Sequence, residues 1–214
     1  MRIVQKWSYA CANHLASSTN ENHQRRAVYY YGFYIVIGAL VKGTILFSVA
    51  AILRILIPTL IVVFVFGSLR MFAGGFHMDT YNKCLIVSMA IYLMGALISK
   101  YSYIFWRAGS LTVLFFFTFI TGIYVLLRYA PKDTPNKRLT DTKQKKKLRI
   151  ISIIYFGILL AALAILIYFN IKMYAIALCY GILFELFTLT QTGSKFLDWV
   201  KEVLDLKKFI NTQV

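Results

Sequence analysis

The sequence predicts an all-α, polytopic integral membrane protein: about six transmembrane helices, with an amphipathic surface helix at each end. Three observations predict it. Of its 214 residues 59% are hydrophobic and 15% charged, with mean hydropathy +0.66, well outside the composition of an ordinary soluble domain. Six apolar runs come near the roughly 20 residues that, at about 1.5 Å rise each, cross a hydrocarbon core of about 30 Å. Lysine and arginine are concentrated in alternate connections between those runs. One membrane domain over residues 1–214 accommodates all of this.

Residues 1–27 contain no apolar core of the signal-peptide kind, so the amino terminus is expected to be retained. Ile3, Val4, Trp7, Cys11 and Leu15 recur at helical spacing, which reads as a helix lying on the membrane surface. Ser18 and Glu21 have capping-box spacing for the next helix. Spans one and two occupy residues 28–69, as runs 28–50 and 52–69 with Arg54 and Pro58 inside the second. A polar stretch, 70–83, separates them from spans three and four at 84–99 and 110–127. The intervening KYSYIFWRAG has the aromatic and basic mixture of a membrane interface. Residues 128–149 form a basic loop containing PKDTPNKRLTDTKQKKKLR. Spans five and six, 150–169 and 173–190, are joined by Asn170, Ile171 and Lys172 as a tight hairpin. In the tail, 191–214, residues 195–210 alternate apolar and charged positions as a second surface helix does.

The net charge of +16 is a topology signal before it is a nucleic-acid signal, because cytoplasmic connections of membrane proteins are enriched in Lys and Arg. No nucleic-acid partner is implied. The segment before Ala27, the 70–83 stretch, the 128–149 loop and the tail hold 4, 2, 9 and 4 basic residues, whereas the opposite side receives Arg54, Lys100, Arg107 and Lys172. An even number of spans with this asymmetry places both termini, the basic loop and the 70–83 stretch in the cytoplasm. The KQKKK run then reads as a topology anchor or contact with anionic lipid, or as a binding site for an acidic peptide.

The stretch RMFAGGFHMDTYNKC, residues 70–84, holds the chemistry. Gly74 and Gly75 suit the end of a helix, where a left-handed residue is common and another chain can approach the backbone. Asp79 or Thr80 can cap the following helix. Cys84 then lies near its first turn beside Lys83, where the helix dipole and the ammonium both favour thiolate. His77 would serve as general base. Seven residues of continuous helix would hold the two α-carbons about 10.5 Å apart, so the chemistry requires a loop between them. The bland alternative, an incidental histidine and cysteine at a membrane boundary, stays open on spacing alone. Cys11 and Cys179 lie on apolar faces and read as small buried hydrophobes, and His14 and His23 as solvated surface groups. Three cysteines without a CxxC pair suggest neither a disulfide framework nor a metal site.

Six hydrophobic segments in about 200 residues, the pattern R-x-x-x-G-G-x-H-x6-C from Arg70 to Cys84, and a basic loop opening with Ala130, Pro131 and Lys132 resemble the accessory gene regulator B (AgrB) family of Gram-positive quorum sensing. The resemblance spans nearly the whole chain and is most specific at His77 and Cys84. It implies a membrane cysteine endopeptidase in which Cys84 attacks a peptide bond of an AgrD-like propeptide, releases the carboxy-terminal tail, and holds the remainder as a thioester. A propeptide nucleophile, usually a cysteine thiol, would then close a thiolactone or lactone ring. The resemblance implies no cofactor, a homodimer in the lipid bilayer, and a propeptide with an acidic end that Arg70, Lys83 and the basic loop would attract. Arg70 reads equally as a positive-inside anchor. Asp79, two positions from His77, reads as a helix cap rather than a third catalytic member. Glu185, about 18 Å into span six from its outer end, reads as a substrate contact or as a carboxyl holding helices together, since a carboxyl at that depth is turned toward a cavity or partner. Lys42 in span one lies nearer the outer face, which disfavours its pairing with Glu185. The competing class is a non-enzymatic multi-pass peptide transporter or channel component. Against it stand few intramembrane charges, no internal repeat and no nucleotide-binding motif.

Overall fold

A computed structural model describes residues 2–19, 21–76, 78–132 and 142–210. His77, the centre of the basic loop at 133–141 and the extreme tail therefore lie outside the described residues. Among those described, the chain is helical without strands, and six helices are long and apolar enough to cross a membrane. It packs as two compact units, Met1–Arg54 and Ile55–Val214.

The first unit is a helical pair. Helix α1 (Arg2–Ser18) lies against α2 (His23–Ile52) through Val4, Ser8, Ala12 and Ala16, which are buried at every fourth position. Small side chains at helical spacing let two axes approach closely. The Tyr9 ring meets Tyr30 edge-on at 6.4 Å, with Arg26 over its face at 5.7 Å. This choice of face corrects the expectation for Cys11, which is exposed, as is Trp7 at 65%; of the apolar stripe, Val4 is buried and Leu15 half-buried, while Trp7 and Cys11 face outward. The capping box at Ser18 and Glu21 is also absent. Ser18 closes α1 and donates back to the His14 carbonyl at 3.0 Å, while Asn22 caps α2 by accepting from the Arg25 N–H at 3.1 Å. Asparagine is as strong an N-cap as serine, so the later residue starts the helix. Helix α2 breaks at Leu53 and Arg54, the latter in left-handed conformation at φ 56°.

The second unit contains α3 (Leu56–Ala73), α4 (Tyr81–Ser102), α5 (Ala108–Tyr129), α6 (Thr142–Tyr168), α7 (Lys172–Leu189) and α8 (Gln191–Ile210), with a short 3-10 turn at Tyr103–Phe105. Helix α7 is its axis and packs against α3, α4, α5, α6 and α8. Its Leu178, Ile182, Leu186 and Leu189 join Val65 and Leu69 of α3, Leu126 of α5, and Phe156, Leu159 and Leu163 of α6 in one buried core. Lipid tails are as apolar as leucine, so close packing rather than hydrophobicity must join such helices. Gly95 and Gly122 provide it: added Cβ atoms there would lie 2.2 Å from the Tyr180 ring and 2.0 Å from the Phe156 ring.

Helix ends follow local chemistry. Ala130, preceding Pro131, is extended at φ −87°, ψ 146°, the conformation that residues before proline favour. Asn170 turns α6 into α7 at φ 56°, a left-handed position that asparagine tolerates. The expected basic loop is shorter than 128–149, because the described chain is helical again from Thr142; lysine and arginine are good helix formers and simply extend the span. The successive antiparallel helices bring the C-terminal ends of α3, α5 and α7 together with the N-terminal ends of α4, α6 and α8. Hydrogen bonds Lys132 N–H to Ala73 O, Arg149 Nε to Ala130 O and Lys132 Nζ to Thr188 O tie that end.

Candidate functional site

The site is built on the connection from α3 to α4. Gly74 caps α3 at φ 81°, ψ −153°, and Gly75 follows at φ 149°, a region essentially reserved for glycine. The peptide beyond Pro131 explains the need. Lys132 donates its N–H to Ala73 O at 3.0 Å and forms an isolated parallel bridge with Gly74, so an added Cβ on Gly74 would lie 2.4 Å from the Lys132 carbonyl oxygen. At Gly75 an added Cβ would meet Glu185 Oε1 at 3.0 Å, Thr188 Oγ1 at 3.0 Å and Arg70 Nη1 at 3.1 Å. The two glycines thus let the loop lie directly on charged and polar groups.

Those groups form a cluster in which Glu185 and Thr188 are buried and Arg70 is half-buried. Arg70, in the last turn of α3, donates from Nη2 to the Phe76 carbonyl, places Nη1 3.7 Å from Glu185 Oε2, and lies over the Phe66 ring at 5.6 Å. Glu185 is 0% exposed. Thr188 donates to its Oε2 at 3.3 Å, while Oε1 has no hydrogen-bond partner among the described residues. Lys132 completes the cluster, donating from Nζ to Thr188 O at 3.0 Å and to Ser194 Oγ. Burial pulls the Lys132 pKa below its ordinary value; Asp198 opposes that, Arg70 adds to it and Glu185 opposes it.

Beside this cluster α4 presents Cys84. Met78, Asp79 and Thr80 are not helical, and α4 begins at Tyr81, so the continuous helix through 77–84 that would keep a histidine and cysteine apart is not formed. Thr80 is the cap, its hydroxyl accepting from the Lys83 N–H at 3.5 Å, and Cys84 N–H donates to Thr80 O at 3.0 Å. Cys84 is exposed in this first turn. Two turns on, buried Tyr92 lies within electrostatic range of Arg70, Cys84 and Glu185, and its ring meets Phe66 at 5.5 Å.

Helix α8 crosses to the same place. Lys83 Nζ is 2.6 Å from Asp205 Oδ2, and Lys201 bonds Asp79. Two expectations change accordingly. The Lys83 ammonium is engaged by an acidic partner on α8, which offsets its pull on Cys84, and Asp79 is an ion-pair partner rather than a cap. The structure brings Arg70, Gly74, Gly75 and Glu185 into one cluster, sets Cys84 and Lys83 on the adjoining helix, and leaves His77 outside the described residues. His14 and His23 are exposed, and Cys179 is buried at 2%. Lys42 lies within α2. Sequence reasoning missed Thr188, Ser194, Tyr92, Lys201 and Asp205. A signal existed for the last two: Asp79 and Lys83 carry opposite charges four positions apart, as do Lys201 and Asp205. Among the described residues no three His, Cys, Asp or Glu side chains converge to hold a metal ion.

Fold and site together define a class: a multi-pass helical membrane protein in which a glycine-broken loop, anchored on a buried ion pair, leads into a helix bearing an exposed cysteine. The chain belongs to the accessory gene regulator B family, whose model matches residues 8–189. It is similar to an AgrB-like protein of Clostridium perfringens strain SM101, at 24% identity over 91% of this chain and 95% of the relative, and to an AgrB-like protein 2 of strain 13, at 24% over the same shares. An AgrB-like protein of Clostridium acetobutylicum is 32% identical over 59% of this chain and 57% of its own. No solved structure matches.

Proposed function

We propose that the protein is a membrane cysteine endopeptidase that removes the carboxy-terminal tail of an AgrD-like propeptide and supports cyclisation of the remainder into an autoinducing peptide. Family membership fits a role in autoinducing-peptide processing. The observation that carries the finer reading is the non-helical approach to α4, with Cys84 exposed in its first turn.

In this reading His77 takes the Cys84 thiol proton and the thiolate attacks the scissile carbonyl. The C–N bond breaks, the proton passes to the departing amine, and an acyl thioester remains on Cys84. A propeptide thiol then attacks the thioester, closing the ring and returning a proton to Cys84. Water must be kept from the thioester for ring closure to outrun hydrolysis, and a site at the end of a helix bundle in a bilayer suits that. The basic segment draws the acidic part of the propeptide to the cytoplasmic face, and the glycine backbone at 74 and 75 admits a close approach of the chain.

The test is reconstitution of the full-length protein with propeptide, followed by mass spectrometry. The wild-type protein releases the tail and carries a covalent adduct at Cys84; Cys84→Ala does neither, and His77→Ala loses acylation at neutral pH. Transport of intact propeptide without cleavage would replace this reading with that of a transporter.

A further inference from the structure

Glu185 calls for an explanation, because a fully buried carboxyl is costly unless it is paired and hydrogen-bonded. It is fully buried, at 0% exposure. Its neighbours are the groups that hold the loop: Arg70 Nη1 at 3.7 Å from Oε2, and the Thr188 hydroxyl at 3.3 Å. Arg70 is bifunctional there. One branch of its guanidinium faces Glu185 while the other donates to the carbonyl of Phe76, the residue that precedes His77 in sequence. The second cation repeats the arrangement: Lys132 pairs its backbone with Ala73 and Gly74, and its ammonium with Thr188 O. Both clamps on the loop therefore end on the last turn of α7.

We infer that Glu185 is a positioning residue: it fixes the Arg70 guanidinium, whose bond to Phe76 O holds the 74–76 backbone of the loop that leads into the helix bearing Cys84. The role rests on the peptidase reading only for its consequence, since the anchoring is visible in the geometry. A guanidinium presents a rigid fork that reaches two partners at once, whereas an ammonium on a flexible stem does not reproduce that geometry. A displacement of about 1 Å at a reacting pair is enough for a loss near a hundredfold.

The test uses the full-length protein in lipid, with two variants. Glu185→Gln keeps the shape and removes the charge; Arg70→Lys keeps the positive charge available to an acidic substrate and removes the fork. Both are expected to lower kcat for tail release about a hundredfold with KM unchanged, and to speed amide hydrogen exchange in residues 74–79 while exchange in α5 and α6 stays as in the wild type. Retained kcat with a raised KM makes the pair a substrate-binding element and overturns the inference, as does unchanged exchange in 74–79. If Glu185→Gln fails to fold, Arg70→Lys carries the same two readouts. Failure of the wild-type protein to release any tail would defeat the peptidase reading alone, because the exchange experiment still reports whether the loop is anchored.

Discussion

Two ion pairs flank the same loop and differ in their surroundings. Arg70 and Glu185 stand 3.7 Å apart with the carboxyl fully buried; Lys83 and Asp205 stand 2.6 Å apart with the carboxylate 53% exposed. Ranked by distance the second is the stronger. Ranked by burial of the carboxylate the order reverses, although the Lys83 side chain, at 14%, is less exposed than that of Arg70, at 23%: two unit charges about 4 Å apart attract by roughly 4 kcal/mol at an effective dielectric of 20 and by only about 1 kcal/mol in bulk water. The buried pair also lacks an alternative. Water can take the place of Asp205 beside Lys83, whereas Glu185 lies among Arg70, Thr188 and the Gly75 backbone with nothing to replace its partner. The inner pair is thus a fixed strut under the loop, and the outer pairs are an adjustable clasp from α8.

The largest effect is expected at the strut. Glu185→Ala removes the fully buried member of the pair and leaves Arg70, whose side chain is 23% exposed, with the Phe76 carbonyl alone, a change expected to cost about 2 kcal/mol. Unfolding in detergent micelles, by heat or denaturant titration, measures it. A loss under about 1 kcal/mol would make the inner pair equivalent to an exposed one and remove the distinction.

How much of this was legible differs between strut and clasp. The six spans were readable because the signal for a membrane helix is length and apolarity, and the helices that begin at His23, Leu56, Tyr81, Ala108, Thr142 and Lys172 each cover all or most of one predicted run; the second run, 52–69, starts too early, because the chain breaks at Leu53 and Arg54 and α3 begins at Leu56. Helix ends set by caps were less so. Ser18, Asn22 and Thr80 are all competent N-caps, and tertiary packing decides which is used. Glu185 announced itself as a charge inside an apolar run, and Arg70 and the glycines as parts of one short motif, yet their convergence depends on α3 and α7 being neighbours. That adjacency comes from packing at Val65, Leu69, Ile182 and Leu186, which hydropathy does not encode. Lys132 was visible as the lysine after Ala130 and Pro131 that opens the basic loop, but nothing local announces its contact with Thr188 and Gly74. The burial of Cys11 was misread because Val4, Ser8, Ala12 and Ala16, not Cys11, make the buried face of α1.

A smaller effect is expected at the clasp. Asp205→Asn removes the carboxylate paired with Lys83 and should cost about 0.5 kcal/mol, the range of exposed pairs. Salt distinguishes it from the strut: near 1 M the screening length is about 3 Å, so wild type and Asp205→Asn should converge in unfolding experiments, while Glu185→Ala stays apart. A salt-independent Asp205→Asn penalty would mean that α8 is joined to α4 by more than the clasp.

The smallest signal has opposite signs at the two places, and both lysines lie outside the spans. Burial sets the Lys132 pKa below the ordinary 10.5, with Asp198 and Glu185 opposing and Arg70 assisting. Between the lowered value and 10.5 the unfolded chain holds more protons than the folded one, so stability rises with pH through that window. Lys201 is the reverse. Its hydrogen bond to Asp79 raises its pKa, burial opposes, and the charges of Asp79, Asp198 and Asp205 add to the rise. That contribution is complete below 10.5 and is lost as pH climbs through the raised value. Melting temperatures taken through the lysine range should therefore show a rise that Lys132→Met removes and, at higher pH, a fall that Lys201→Gln removes. If both substitutions remove changes of the same sign, the contrast between a desolvated inner cation and a carboxylate-held outer one is wrong.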